Sequence, residues 1–217
     1  MTWAWAPTPW LVCALLGSVL GCKTAPAPEH AVQGADGGGA PSLADEDATW
    51  GASTAPVTIV WFGDFRCPFT ARSSETMRQL ESEYGPETLR IVWKSEPHPF
   101  DARGIELAEA GEVVRELGGS DAFWRFQQLA FAGQQDAGAG AYAEWARDAR
   151  VDPGAFLEKL ASRGGAEKVA RDHALAGQLG VGGTPQFFVN GRLIKGAQPI
   201  ETFDAAIRAE LREATAK

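Results

Sequence analysis

The order of hydrophobic patterns after residue 54 is the feature that most constrains the fold. Residues 57–62 (VTIVWF) form a β-branched and aromatic run that is typical of a buried strand. Residues 69–84 then carry apolar or small side chains at helical spacing, and a second strand-like run, LRIVW, occupies residues 89–93. A strand, a helix and a strand in this order predict two parallel strands joined by a right-handed crossover.

The rest of this region predicts a helical insertion followed by a hairpin. Between about residues 100 and 180 the apolar residues recur at helical spacing. An insertion of this length is a small helical subdomain rather than a loop. Asn190-Gly191 separates two apolar runs, which is the strongest short-range signal for a β-hairpin, and an amphipathic helix begins at Pro199. The predicted class is therefore α/β, with a central mixed β-sheet and an inserted helical subdomain.

Residues 1–21 have the pattern of a secretion signal. They contain no charged side chain, and residues 10–21 are an apolar run that is too short to cross a bilayer as a stable helix. Val19-Leu20-Gly21-Cys22 resembles a bacterial lipobox, in which Cys22 becomes the lipidated N-terminus. The absence of Lys or Arg before the run and the bulk of Leu20 depart from that pattern. An ordinary signal peptide, cleaved near the same place, is the alternative.

Residues 22–53 are predicted to form the lipidated N-terminus and a flexible tether. They are rich in Ala, Pro and Gly and hold one aromatic residue, Trp50. Such a segment cannot bury enough apolar surface to offset the entropy lost on ordering. The acidic run Asp45-Glu46-Asp47 lacks the spacing of a calcium-binding loop and is expected to be solvated. The folded domain is accordingly predicted to span residues 54–217.

Composition excludes two classes of protein. The formal net charge is −8 and no basic run is present, which argues against a nucleic-acid partner because such binding depends on an excess of Lys and Arg. Three cysteines in 217 residues are too few for a small disulfide-stabilised scaffold. Cys13 is removed with the signal and Cys22 is assigned to the lipid, so Cys67 is the thiol left for chemistry.

Cys67 lies between the first predicted strand and the helix that follows it. Pro68 suits the first turn of that helix. The free N–H groups and partial positive charge of a helix N-terminus favour the thiolate, which is the nucleophilic form of cysteine. The alternative is a small buried side chain with a structural role.

The neighbouring residues resemble the DsbA-like branch of the thioredoxin superfamily. The resemblance rests on Phe65-Arg66-Cys67-Pro68-Phe69-Thr70, on the segment 94–100 and on Gly183-Thr184-Pro185 with the residues after it. It implies a thioredoxin-like fold and thiol–disulfide exchange in the bacterial envelope, on the periplasmic side. It also implies that Cys67 is the nucleophile and that Pro185 is a cis-proline facing it. Substrate would contact Pro68, Phe69 and Thr184.

One position departs from the family pattern. The family normally has Cys-x-x-Cys, whereas this sequence has Cys67-Pro68-Phe69-Thr70. Without a second thiol, Cys67 can attack a substrate disulfide, but an external thiol, a reductase or a second substrate thiol must resolve the mixed disulfide. Thr70 is expected to donate a hydrogen bond to the thiolate. The alternatives are an inert threonine in a redox-inactive peptide-binding protein, and a dedicated partner that is trapped as a mixed disulfide.

The remaining predictions concern ligands and partners. His30, His98 and His173 occur singly without zinc-ligand spacing, so no metal site is predicted, and no motif indicates a cofactor. Asp64 and Glu96 are weaker candidates for proton acceptors near Cys67. The expected partners are disulfide-containing proteins or low-molecular-weight thiols, together with a membrane contacted through the lipid on Cys22.

Overall fold

The computed structural model describes Met1 and residues 40–134 and 139–216. Cys13, Cys22, His30 and the predicted tether up to residue 39 lie outside the described residues. In chain order the elements are β1 (Thr49–Trp50), β2 (Val57–Gly63), α1 (Pro68–Tyr84), β3 (Leu89–Ser95), α2 (Ala102–Ala132), α3 (Ala139–Asp148), α4 (Pro153–Ala161), α5 (Ala166–Gln178), β4 (Gln186–Val189), β5 (Arg192–Lys195) and α6 (Ile200–Thr215). No helix within these ranges is both long and apolar enough to cross a membrane.

The strands form one mixed sheet in the order β1-β3-β2-β4-β5. β2 and β3 are parallel, with Val57 opposite Leu89, and α1 makes the crossover between them. β4 pairs antiparallel with both β2 and β5. Asn190 and Gly191 in the connecting turn have φ values of 45° and 91°, the positive φ that a tight hairpin turn requires. The predicted α/β class, parallel pair and hairpin are thus confirmed.

Four helices, α2 to α5, separate β3 from β4, which confirms the inserted helical subdomain. α2 changes direction at Gly119, whose φ of 76° is accessible to glycine at little cost. The insertion shares an aromatic core with the sheet. The rings of Trp61 and Trp93 meet edge to face at 4.9 Å, and Phe65 packs against Trp93 at 5.2 Å and against Phe123 of α2 at 6.1 Å. This core supports the loop that carries Cys67.

The predicted start of the domain at residue 54 is wrong, because the folded region begins earlier. β1 pairs antiparallel with β3 through Thr49 and Trp50. Asp47, which was expected to be solvated, is only 3% exposed. Its carboxylate lies 2.8 Å from the ammonium of Lys94 and 3.0 Å from that of Lys168. A buried carboxylate is stable only when it is paired in this way, so residues 44–53 belong to the domain and not to the tether.

Candidate active site

Cys67 lies at the junction of β2 and α1. It is the N-cap of α1, with an extended backbone (φ −76°, ψ 119°) and Pro68 at the first helical position. Its N–H donates to the Asp64 carbonyl and its own carbonyl accepts from Ala71 N–H, both at 3.1 Å. The side chain is partly exposed. A thiol in this place is both accessible and adjacent to the free N–H groups of the helix.

The segment before β4 provides the facing wall of the site. The Thr184–Pro185 peptide bond is cis, as the resemblance implied, and Pro185 is buried. The Cys67 thiol donates to the Thr184 carbonyl at 3.3 Å, so the fold brings together two segments that are far apart in sequence. Within the described part of the chain, the Thr184 N–H has no acceptor. A free N–H beside the sulfur is suited to hydrogen bonding with an extended peptide.

Thr70 lies one turn along α1 and is fully buried. Its hydroxyl accepts a long hydrogen bond from Asp64 N–H at 3.5 Å, and its carbonyl accepts from the Ser73 hydroxyl at 2.8 Å. Among the described residues no hydrogen bond joins the Thr70 hydroxyl to Cys67 Sγ. The expected contact between this hydroxyl and the thiol is therefore not formed, because the side chain packs against the end of β2 instead.

Pro68 and Phe69 form the exposed rim next to the thiol. Both residues are exposed, and 54% of Phe69 is accessible to solvent. The Arg72 guanidinium lies over the Phe69 ring, 5.2 Å from its centroid, which holds the ring on the surface. Both side chains are therefore accessible beside the thiol, and their contact with substrate stays a prediction.

A set of polar contacts holds the Cys67 loop in place. The Asp64 carboxylate accepts from the N–H of Arg66 at 2.8 Å and from the N–H of His98 at 3.3 Å. The Arg66 side chain donates to Asp101 at 2.6 Å. Gln134 donates to the carbonyl of Phe65 at 2.6 Å and to that of Cys67 at 3.3 Å. The loop is thus fixed from both the β3–α2 connection and the end of α2.

Two carboxyl groups beside this loop have perturbed pKa values. Burial raises the pKa of Asp64, although the hydrogen bonds from the N–H groups of Arg66 and His98 oppose this increase. Burial also raises the pKa of Glu96, against the opposing charge of His173, whose ring lies 3.0 Å from the Glu96 carboxylate. Both carboxyl groups are engaged with these partners, and among the described residues neither forms a hydrogen bond with Cys67 Sγ.

Comparison with known proteins identifies the family. A family model described as thioredoxin matches residues 44–209, which include Cys67 and Pro185. A probable disulfide bond formation protein D from Bacillus cereus is 31% identical over 180 residues, covering 75% of this chain and 78% of that protein. The chain belongs to the thioredoxin family, in its DsbA-like branch.

Two further comparisons relate this thioredoxin-family chain to a solved structure and to a much longer protein. The structure of oxidised BdbD from Bacillus subtilis aligns with a TM-score of 0.73 at 24% identity, covering 81% of this chain and 97% of that one, which shows the DsbA-like fold. Na(+)/H(+) antiporter NhaA 3 from Salinispora tropica is 34% identical over 211 residues. That match covers 95% of this chain but only 31% of the antiporter, so the chain spans less than a third of this relative's length.

Sequence reasoning missed some residues of this thioredoxin-family site. Asp101 precedes a helix and caps it by accepting from Arg103 N–H at 3.1 Å, so its N-cap role was accessible from sequence, whereas its pairing with Arg66 was not. Gln134 carries no sequence signal for its contact with the Cys67 loop.

Across the ranges that the structure describes, no three His, Cys, Asp or Glu side chains are grouped as a metal ion would require.

Proposed function

We propose that this chain is a thiol–disulfide oxidoreductase or isomerase of the bacterial envelope that acts through Cys67 alone. The observation that carries the proposal is one partly exposed thiol at the N-terminus of α1, 3.3 Å from the Thr184 carbonyl and beside a buried cis-proline. Relatives named for disulfide bond formation support the same chemistry. Substrates are disulfide-containing proteins or low-molecular-weight disulfides.

The reaction proceeds by exchange of sulfur partners. The Cys67 thiolate attacks one sulfur of a substrate disulfide, a new S–S bond forms, and the other substrate sulfur leaves as a thiolate with the electron pair of the broken bond. In isomerisation, a second thiolate of the same substrate attacks the mixed disulfide and releases Cys67 without net oxidation or reduction. In reduction, an external thiol or reductase makes this attack and supplies the electrons.

The threonine at position 70 determines which of these reactions the protein can perform. Threonine cannot form a disulfide, so Cys67 has no partner within the Cys67–Thr70 motif, or elsewhere among the described residues, with which to store oxidising equivalents. The alternative function is a redox-inactive peptide-binding protein that keeps the groove beside Pro185. The observation that favours it is the Thr70 hydroxyl, which accepts from Asp64 N–H and, among the described residues, makes no hydrogen bond with Cys67 Sγ.

We expect Cys67→Ala to reduce disulfide rearrangement to the rate of the buffer alone. The substitution removes the nucleophile, while the N-cap backbone contacts of residue 67 remain available. The measurement is recovery of a scrambled disulfide substrate in glutathione buffer, with Cys13 and Cys22 replaced by serine in both proteins. The redox-inactive alternative predicts equal rates for the two proteins, with substrate binding retained, and that result would overturn the enzymatic proposal.

We also propose that Cys22 carries a lipid that anchors the protein to a membrane. The support is the Val19-Leu20-Gly21-Cys22 sequence, which lies outside the described residues. Cells grown with radioactive palmitate are expected to label the protein, and Cys22→Ser is expected to abolish the label. Cys67→Ala is the matched cysteine control and should retain the label. Unlabelled protein that is nevertheless exported and cleaved would instead indicate an ordinary signal peptide.

A further inference from the structure

An open groove lies between α1 and the end of α2, beside the Cys67 loop. Its volume is about 530 Å³, and its apolar lining consists of Ala71, Phe131 and Ala132. The groove begins next to the thiol, because the Ala71 N–H donates to the Cys67 carbonyl at 3.1 Å. Its volume falls in the range of clefts that bind small ligands. A short stretch of peptide that reacts with Cys67 can therefore extend into this groove.

Arg72 lies where this groove meets the exposed rim next to the thiol. Its side chain is exposed, and its guanidinium lies 5.2 Å from the centroid of the Phe69 ring. Among the described residues, no carboxylate forms an ion pair or a hydrogen bond with this guanidinium. A side chain that already packs on an aromatic ring loses less conformational freedom when it binds a ligand. The rim thus presents a positioned cation that has no anionic partner.

The other charges around the thiol are balanced or buried. Three ion pairs account for most of them: Arg78 with Glu75 in the groove, and Arg66 with Asp101 and His173 with Glu96 beside the Cys67 loop. The Asp64 carboxylate is buried and accepts from two backbone N–H groups. Arg103 and Glu106 are an exposed cation and an exposed anion one turn apart on α2. A substrate on the α1 side of the thiol therefore meets the unpaired charge of Arg72.

The position of Arg72 on α1 sets the spacing of the group that it can bind. Arg72 is five residues after Cys67, which corresponds to about 7–8 Å along the helix axis. An extended peptide covers this distance in two or three residues, at roughly 3.3 Å each. The forked N–H donors of a guanidinium match a carboxylate. The complementary substrate group is thus an acidic side chain two or three residues from the reacting cysteine.

We propose that Arg72 selects substrate disulfides that carry an acidic side chain at this spacing. The inference rests on the proposed thiol chemistry and adds a preference among its substrates. The exchange itself is unchanged: the Cys67–substrate S–S bond forms, the substrate S–S bond breaks, and the other substrate sulfur leaves as a thiolate. Arg72 is a specificity-determining residue, because it binds the carboxylate and not the reacting sulfur atoms.

Three peptides that differ only in charge are the matched probes. Each is a blocked heptapeptide with a central cysteine, alanine at the adjacent positions, and Glu, Gln or Lys at both ends, used as its symmetrical disulfide. The full-length protein with Cys13 and Cys22 replaced by serine is mixed with each peptide at pH 7 and low ionic strength. The rate of mixed-disulfide formation on Cys67 is followed by mass spectrometry. The ratio of the Glu-peptide rate to the Gln-peptide rate is then compared between variants, which cancels the intrinsic reactivity of the peptides.

Arg72→Gln is expected to lower this ratio about three- to fivefold, the equivalent of one well-formed exposed ion pair. Added salt should reduce the difference. Arg72→Lys keeps the charge and should retain most of the preference, whereas Arg72→Glu should favour the Lys peptide. Arg212→Gln is the matched control, because Arg212 is exposed in the last turn of α6 and its loss changes the net charge equally.

The outcomes separate this inference from the thiol chemistry on which it rests. If the ratio is the same with Arg72 and with Arg72→Gln, or if Arg212→Gln lowers it equally, the inference is overturned while the thiol chemistry stands. If Cys67 forms a mixed disulfide with none of the three peptides, both are overturned.

Discussion

Replacing Thr70 with cysteine will give this protein an internal disulfide and the ability to oxidise a reduced substrate. Cys67 is the N-cap of α1, and residue 70 is the third helical residue after Pro68 and Phe69. The side chain of an N-cap residue normally reaches the N–H of this third residue, so side chains at the two positions are close neighbours. A thiol at residue 70 can therefore attack a mixed disulfide on Cys67 or close a disulfide with it.

The domain is expected to tolerate the Thr70→Cys substitution. Thr70 is fully buried, and its methyl group packs against Gly63, where an added Cβ would lie 2.8 Å from Thr70 Cγ2. Cysteine keeps a side chain of similar size but loses this methyl, which costs about 1 kcal/mol in a packed interior. The lost hydrogen bond to Asp64 N–H is 3.5 Å long and contributes little.

The measurement is the mass of the oxidised protein together with its ability to oxidise a reduced dithiol peptide. With Cys13 and Cys22 replaced by serine in every protein compared, the chain that keeps Thr70 is expected to form no internal disulfide and to turn over no peptide as an oxidant. Ser73→Cys is the matched control, since residue 73 is also buried in α1 but lies farther along the helix from Cys67. A folded Thr70→Cys variant in which both thiols stay reduced under oxidising conditions would show that the inferred site geometry is wrong.

Features set by neighbouring residues could be predicted from the sequence. β2 and β3 follow from their β-branched and aromatic runs, and the hairpin follows from Asn190-Gly191, because each pattern is local. The parallel pairing of β2 and β3 then follows from chain topology, since a helix joins them. The position of Cys67 at the start of α1 is local in the same sense, which is why its place at the N-terminus of a helix could be predicted before the fold was known.

Features that depend on distant partners could not be predicted. Asp47 looks like a solvated acid in its own segment, and only the fold shows that Lys94 and Lys168 approach it. β1 is two residues long and has no periodicity of its own, so no local pattern indicates its pairing with β3. The orientation of the Thr70 hydroxyl likewise depends on packing against the end of β2.

We expect Asp47→Asn to destabilise the domain by about 3–5 kcal/mol, the typical cost of breaking a buried ion pair. The substitution retains the shape of the side chain but removes a salt-bridge partner from both Lys94 and Lys168, which are almost fully buried. Asp172 still pairs with both ammonium groups, and Glu112 is a further nearby anion for Lys168. This is a large part of the 5–15 kcal/mol that is typical of a folded domain. The measurement is the free energy of unfolding from urea denaturation at pH 7.

The same contact predicts how stability depends on pH. Burial alone would raise the pKa of Asp47, but Lys168 and Lys94 together with the Ala44 N–H hold it below its usual value. A carboxyl group whose pKa is lower in the folded than in the unfolded state contributes stability above its unfolded pKa, and this contribution is lost as the pH falls through the folded value. The stability difference between the native chain and Asp47→Asn should therefore shrink in acid.

Glu46→Gln is the matched control for Asp47→Asn. Glu46 is the adjacent acid, and its pairing with Arg171 at 3.0 Å is solvent-exposed, so its loss should cost less than about 1 kcal/mol. A double variant, Asp47→Asn with Lys168→Met, should recover part of the lost stability because it removes one of the two buried cations that had paired with Asp47. If Asp47→Asn and Glu46→Gln lower the free energy of unfolding by the same amount, residues 44–50 are not anchored through Asp47. β1 is then held by its pairing with β3 alone.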